Sequence, residues 1–151
     1  MQNHLTRFTQ VLLYSTFIFF CLLFIGLPWI LKYYFHWSMN GYVASSHYRR
    51  FVIAFLYVLG IGGIWMVGEL IRIMHTVPSN PFVAKNVSSI RRIGCISLGL
   101  ALLFVIKCIL FFTPFTFICG VVLFICGLLS LVLTQVFSQA LRFKQENDLT
   151  I

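Results

Sequence analysis

Four apolar stretches, residues 11–31, 51–70, 93–112 and 115–137, take up most of this 151-residue chain. Each is long enough to cross a bilayer, whose hydrocarbon core of about 30 Å needs roughly 20 helical residues. No water is available there, so every backbone polar group must be satisfied internally, and only helices or closed barrels can span. The stretches are apolar on all faces and do not alternate with period two, which reads as helix and not as barrel strand. The expected fold is all-α: a polytopic integral membrane protein with four transmembrane helices in one bundle.

Little chain is left for anything else. Hydrophobic residues make up 60% of the sequence and charged residues 9%, against about a quarter charged in soluble domains. The pieces outside the spans are too short for a soluble catalytic or binding domain. We therefore expect a single membrane domain over 1–151, with a cytoplasmic helical tail at 138–151.

The net charge of +8 would suit a nucleic-acid binder, but its placement argues for topology instead and against direct nucleic-acid contact. Arg7, Arg72, Lys85, Arg91, Arg92, Arg142 and Lys144 fall on the side of the N-terminus, and Lys32, Arg49 and Arg50 on the other. Lys107 lies within the third span and casts no vote. The balance places both termini on the cytoplasmic side of the membrane. Arg7 followed by an apolar run resembles a signal peptide, yet Gly26-Leu27-Pro28-Trp29 offers no small-x-small cleavage pattern, so the first span is expected to be retained.

After the first span, Trp29 and Tyr33-Tyr34-Phe35-His36-Trp37 resemble the aromatic belt of a headgroup boundary. Residues 38–50 form a connecting loop with room for a short interfacial helix. Span two carries Gly60, Gly62, Gly63 and Gly68, which allow close helix approach. Packing within the chain is the first expectation for them, and a homo-oligomer through this span the alternative. Pro78 and Pro81 end span two. Asn80 then reads as an N-cap with Pro81 at the first helical position, opening an amphipathic turn that runs into span three. Thr113-Pro114 repeats this logic in a tight hairpin between spans three and four. Cys119-Gly120 and Cys126-Gly127, seven residues apart, share nearly one face of span four.

Candidate chemistry is sparse. Cys21, Cys95, Cys108, Cys119 and Cys126 all fall inside spans without close pairing. They read as small apolar packers and not as metal ligands or disulfide partners. His4, His36, His47 and His75 lie outside the spans or at their ends, so no metal, haem or other cofactor is expected. Glu69 and Arg72, three residues apart at the inner end of span two, form a local pair that snorkels to the interface. Lys107, about five residues from the outer end of span three, reaches toward headgroups. Glu69 and Lys107 belong near opposite faces and are not expected to pair. The chain holds only three carboxylates, Glu69, Glu146 and Asp148, and no phosphate loop, zinc helix or Ser/His/Asp set, so no enzyme is expected. Asn86-Val87-Ser88 matches a glycosylation sequon, discounted because it falls on the cytoplasmic side.

Two groups of residues carry a resemblance. Asn80-Pro81-Phe82-Val83, Asn86-Val87 and Ile90-Arg91-Arg92-Ile93-Gly94, together with Glu146-Asn147-Asp148-Leu149-Thr150-Ile151, resemble domain-of-unknown-function family 2975, small bacterial four-helix membrane proteins. Gln145 departs from the family, whose members often carry another acid there. The resemblance implies a context, since such genes often neighbour a small helix-turn-helix regulator of the phage-repressor type. The expectation that follows is a docking surface for that regulator, built from Asn80, Pro81, Phe82, Asn86, Arg91 and Arg92 in the loop. Glu146, Asn147, Asp148, Leu149 and Ile151 complete it from the tail. The same residues also have a structural reading, with Asn80-Pro81 starting a helix, Arg91 and Arg92 anchoring it to anionic headgroups, and the tail a solvated helix end. Competing functions are a bacteriocin-immunity or envelope-stress protein acting through its spans, and a small transporter using Glu69.

Overall fold

The computed structural model describes residues 2–37, 46–76 and 83–148. They form four helices, α1 (Gln2–Trp37), α2 (Ser46–Thr76), α3 (Ala84–Leu110) and α4 (Pro114–Asp148). All four are long and apolar enough to cross a membrane. Even α3, at 27 residues, extends about 40 Å at 1.5 Å per residue. This is the four-span all-α bundle expected from the apolar stretches.

The helices run up-down-up-down, and each packs on the next in sequence, α1 on α2, α2 on α3 and α3 on α4. One end of the bundle therefore holds both termini and the α2–α3 connection, and we call it the terminal end. The opposite, hairpin end holds the α1–α2 and α3–α4 connections. Helix α3 lies innermost: of the buried apolar side chains Leu31, Val67, Ile93, Leu100, Ala101 and Phe104, four belong to it.

The distribution of polarity is inverted relative to a water-soluble domain. Glu69, Asn86, Ser89, Ser97 and Thr116 are buried, while large apolar side chains such as Ile18, Leu22, Ile109, Phe115 and Leu129 are exposed. Lipid tails are as apolar as leucine, so exposed apolar surface carries no penalty there, and association comes from close packing and hydrogen bonds. The contacts follow that rule. At the α3–α4 crossing, a Cβ on Gly127 would stand 3.2 Å from the Gly94 carbonyl oxygen, and one on Gly94 equally close to that of Gly127. Nearby, the buried Ser97 hydroxyl donates to the Leu123 carbonyl at 2.7 Å. Gly120 faces Phe104, so the two glycines seven residues apart on α4 do share the face turned to α3. In α2, Gly60 faces Phe24, Gly63 faces Phe20 and Gly62 faces Leu100, whereas Gly68 has open space.

Several boundaries differ from expectation. The region 38–50 is not loop throughout, because α2 begins at Ser46; residues 38–45 lie outside the described ones. The N-cap of α3 is Val83, extended at φ −122 and ψ 140, with no side-chain cap among the described residues. Its carbonyl accepts from the Asn86 and Val87 amides at 2.9 and 3.4 Å, which closes the first turn through the backbone. Asn80, Pro81 and Phe82 lie outside the described residues. Helix α3 ends at Leu110, and Phe111 closes it by donating its N–H to the Lys107 carbonyl at 2.8 Å. The five cysteines are free thiols, and Cys95 and Cys126 are exposed on the helix surfaces rather than packed inside.

Candidate functional site

Polar side chains converge where α1, α2 and α3 meet at the terminal end. On α2, Glu69 and Thr76 are seven residues apart, hence on one face. On α3, Asn86, Ser89 and Arg92 recur every three residues and line the facing stripe. Two antiparallel helices in contact bring these stripes together. The Glu69 carboxylate is 1% exposed. Its Oε1 accepts from Arg72 Nη1 and from Arg92 Nη1, each at 3.0 Å. Arg92 also donates to the Ser88 hydroxyl at 3.4 Å, and Thr76 donates to the Asn86 side-chain oxygen. Ser89 is buried on the same stripe.

The geometry puts the acid inside and the bases at the rim. Arg72 and Arg92 keep 61% and 50% of their side-chain surface exposed, and Glu69 none. A lone carboxylate buried in hydrocarbon is costly, and two guanidinium donors offset that cost. The cluster carries one net positive charge toward the membrane surface. Helix α1 joins through Tyr14, whose hydroxyl meets His75 Nε2 at 2.7 Å, with the rings edge to face. Three helices are thus tied at one level by side chains that are polar or charged.

The other named residues fall as follows. Arg91 is exposed, one residue from Arg92 but on another face. Asn86 is 5% exposed and held by Thr76, so it binds helices together. Lys107 sits at the hairpin end, far from Glu69, where it donates to Thr113 at 2.8 Å and to Thr116. In the tail, Glu146 pairs with Arg142 at 3.2 Å along α4, and Asn147 is exposed. Asp148 is the last residue of α4; Leu149 and Ile151 lie outside the described residues.

How far the tail projects follows from the crossing. Gly94 and Gly127 lie level, so ten residues toward the terminal end bring α3 to Ala84 and α4 to Phe137. Residues 138–148 then extend about 16 Å further as helix. That segment exposes Arg142, Phe143, Lys144 and Glu146, with Phe143 66% accessible.

Residues 11–151 match the family described as a protein of unknown function, DUF2975. The chain belongs to that family. The match runs from the start of the first apolar stretch through the tail, so it takes in the polar junction and the projecting helix of this DUF2975 protein. No curated protein and no solved structure matches the chain.

The local Glu69–Arg72 pair was readable from spacing alone. Arg92 was missed as its second partner, as were Thr76–Asn86 and Tyr14–His75. A usable signal existed: Glu69 to Thr76 and Asn86 to Arg92 are nearly equal steps on helices joined by a short connection, as an antiparallel pairing requires.

Proposed function

We propose that this DUF2975 protein is a non-enzymatic membrane regulator that docks a small cytosolic helix-turn-helix transcription factor at its terminal end. The observation that carries the reading is the projection of α4, a helix that runs about three turns beyond the start of α3 and exposes Phe143 between Arg142 and Lys144. Aromatic and arginine side chains are the usual anchors of protein interfaces. Arg91 is exposed on the neighbouring α3 and is assigned to the docking surface with the loop residues of the family pattern. The choice of partner rests on the context that the family resemblance implies. Glu146, Asn147 and Asp148 belong to the surface, as do Asn80, Pro81, Phe82, Leu149 and Ile151 from the loop and chain end. Asn86 and Arg92 support it from behind.

In this reading the bound regulator is held away from its DNA. Release follows when the membrane helices repack, and that requires the regulator to bind two states of the bundle with different affinity. The junction is the candidate link, because Glu69 holds α2 and α3 together through Arg92.

The test is a crosslinking pull-down from native membranes, tagged at the N-terminus, comparing the full chain with one lacking 146–151. Recovery of a small helix-turn-helix protein that disappears on truncation is the expected result. Identical recoveries, or none, with normal insertion would remove the tail from the account. A second reading, transport coupled to Glu69, is favoured by one detail, since its buried Oε2 receives neither arginine and has beside it, among the described residues, only the buried Ser89 hydroxyl. Transport abolished by Glu69→Gln, with docking intact, would support that reading.

A further inference from the structure

The geometry points to a binding site for one anionic glycerophospholipid in the groove between α1 and α2 at the hairpin end. Four cations stand at that end, Lys32, Arg49, Arg50 and Lys107, and the three carboxylates of the whole chain, Glu69, Glu146 and Asp148, stand at the other. Residues 38–45 bring neither Asp nor Glu, wherever they lie. No anion of this protein can therefore neutralise the hairpin end.

The four cations are not equivalent. Lys107 is engaged by Thr113 and Thr116. Arg50 donates to the Ser46 carbonyl at 3.4 Å and meets His47. Lys32 and Arg49 have no hydrogen-bond or ion-pair partner among the described residues, and both line the same groove. That groove has a volume of about 1170 Å³, enough for a sizeable ligand, and its remaining lining includes Leu31, Ile53 and Tyr57. Trp29 and Tyr33 flank it, 83% and 79% exposed, at the depth where amphipathic rings settle against headgroups.

One amphiphile matches these features together. A phosphodiester between Lys32 and Arg49 receives donors from a primary ammonium and a guanidinium. Its acyl chains run along Leu31, Ile53 and Tyr57 toward the bilayer centre. A soluble anion would match the cations and leave the apolar groove unfilled. A zwitterionic lipid would match the groove and bring its own ammonium against the two cations.

The test is native mass spectrometry of the detergent-purified full chain, titrated with phosphatidylglycerol, with phosphatidylcholine of the same acyl chains, or with inorganic phosphate. One phosphatidylglycerol retained per chain is expected, in preference to phosphatidylcholine. The double variant Lys32→Gln/Arg49→Gln should weaken that retention on the order of tenfold, as loss of two interfacial cations implies. Arg50→Gln should leave it unchanged. Lys32→Arg/Arg49→Lys, which keeps both charges, should retain the lipid and so separates lost binding from lost folding. Equal retention of phosphatidylcholine, undiminished retention by the double glutamine variant, or lipid loss in the charge-keeping variant would overturn the proposal. Saturable capture of inorganic phosphate that excludes the lipid would overturn it too, by assigning the cations to a free anion.

Discussion

Arg91 and Arg92 are adjacent in sequence, yet only Arg92 shares the buried carboxylate of Glu69. Removing one partner of a buried ion pair leaves an uncompensated charge at a cost of about 3–5 kcal/mol. Arg92 is half exposed and Arg72 remains, so the expected cost of Arg92→Ala is lower, about 2 kcal/mol. Arg91→Ala should stay within about 0.5 kcal/mol, as surface substitutions do. Denaturant unfolding in mixed micelles measures both, and equal losses would contradict the junction. The same pair shows what the sequence could and could not disclose. Glu69–Arg72 was visible because spacing on one helix fixes which side chains meet. Arg92 lies 23 residues from Glu69, and a contact that distant depends on the register of two helices, at which only the matched steps Glu69–Thr76 and Asn86–Arg92 hint. Its functional reading was misleading for the same reason: Asn86 looked like a loop residue free to bind, and register turns it inward against Thr76.

At the scale of helices, small residues set how closely neighbours approach. Gly127 packs on Gly94, where a Cβ would meet backbone oxygen at 3.2 Å and Leu98 at 2.8 Å. Gly127→Val should therefore push α3 and α4 apart and cost about 1–3 kcal/mol, as overpacking does. Gly68 has nothing within 4 Å, and Gly68→Ala should be neutral or stabilising by up to about 1 kcal/mol through helix propensity. Unfolding titrations of the two variants side by side make the check, and a costly Gly68→Ala would reveal a neighbour at that face. Ser97→Ala should cost about 0.6 kcal/mol, the usual size of a hydrogen bond between membrane helices. The helices themselves were legible because apolar length is a strong signal in lipid. Their ends were less so. Polar flanks such as Ser46 to Arg50 continue α2 as readily as they would form a loop, and the first turn of α3 is closed by backbone bonds to Val83, a residue that no capping pattern singles out.

For the whole molecule, the chain is a row of antiparallel helices whose two ends differ in kind. The terminal end carries all three carboxylates, seven of the eleven Lys and Arg residues and the projecting α4. The hairpin end carries Lys32, Arg49, Arg50 and Lys107 together with aromatic rings, and none of the three side-chain carboxylates. Spans and packing order follow from the sequence, whereas a partner is recognised by surface, and the sequence marks that surface only through the family pattern at its loop and tail. Docking at the terminal end is measured by a reconstituted binding titration. The full chain in lipid nanodiscs would be titrated with the purified helix-turn-helix protein that the pull-down recovers, alongside Phe143→Ser and Arg91→Glu variants. The account predicts saturable binding of one regulator per chain, weakened at least tenfold by each substitution and competed by the regulator's operator DNA. Absence of binding by the full chain, or equal binding by both variants, would contradict it.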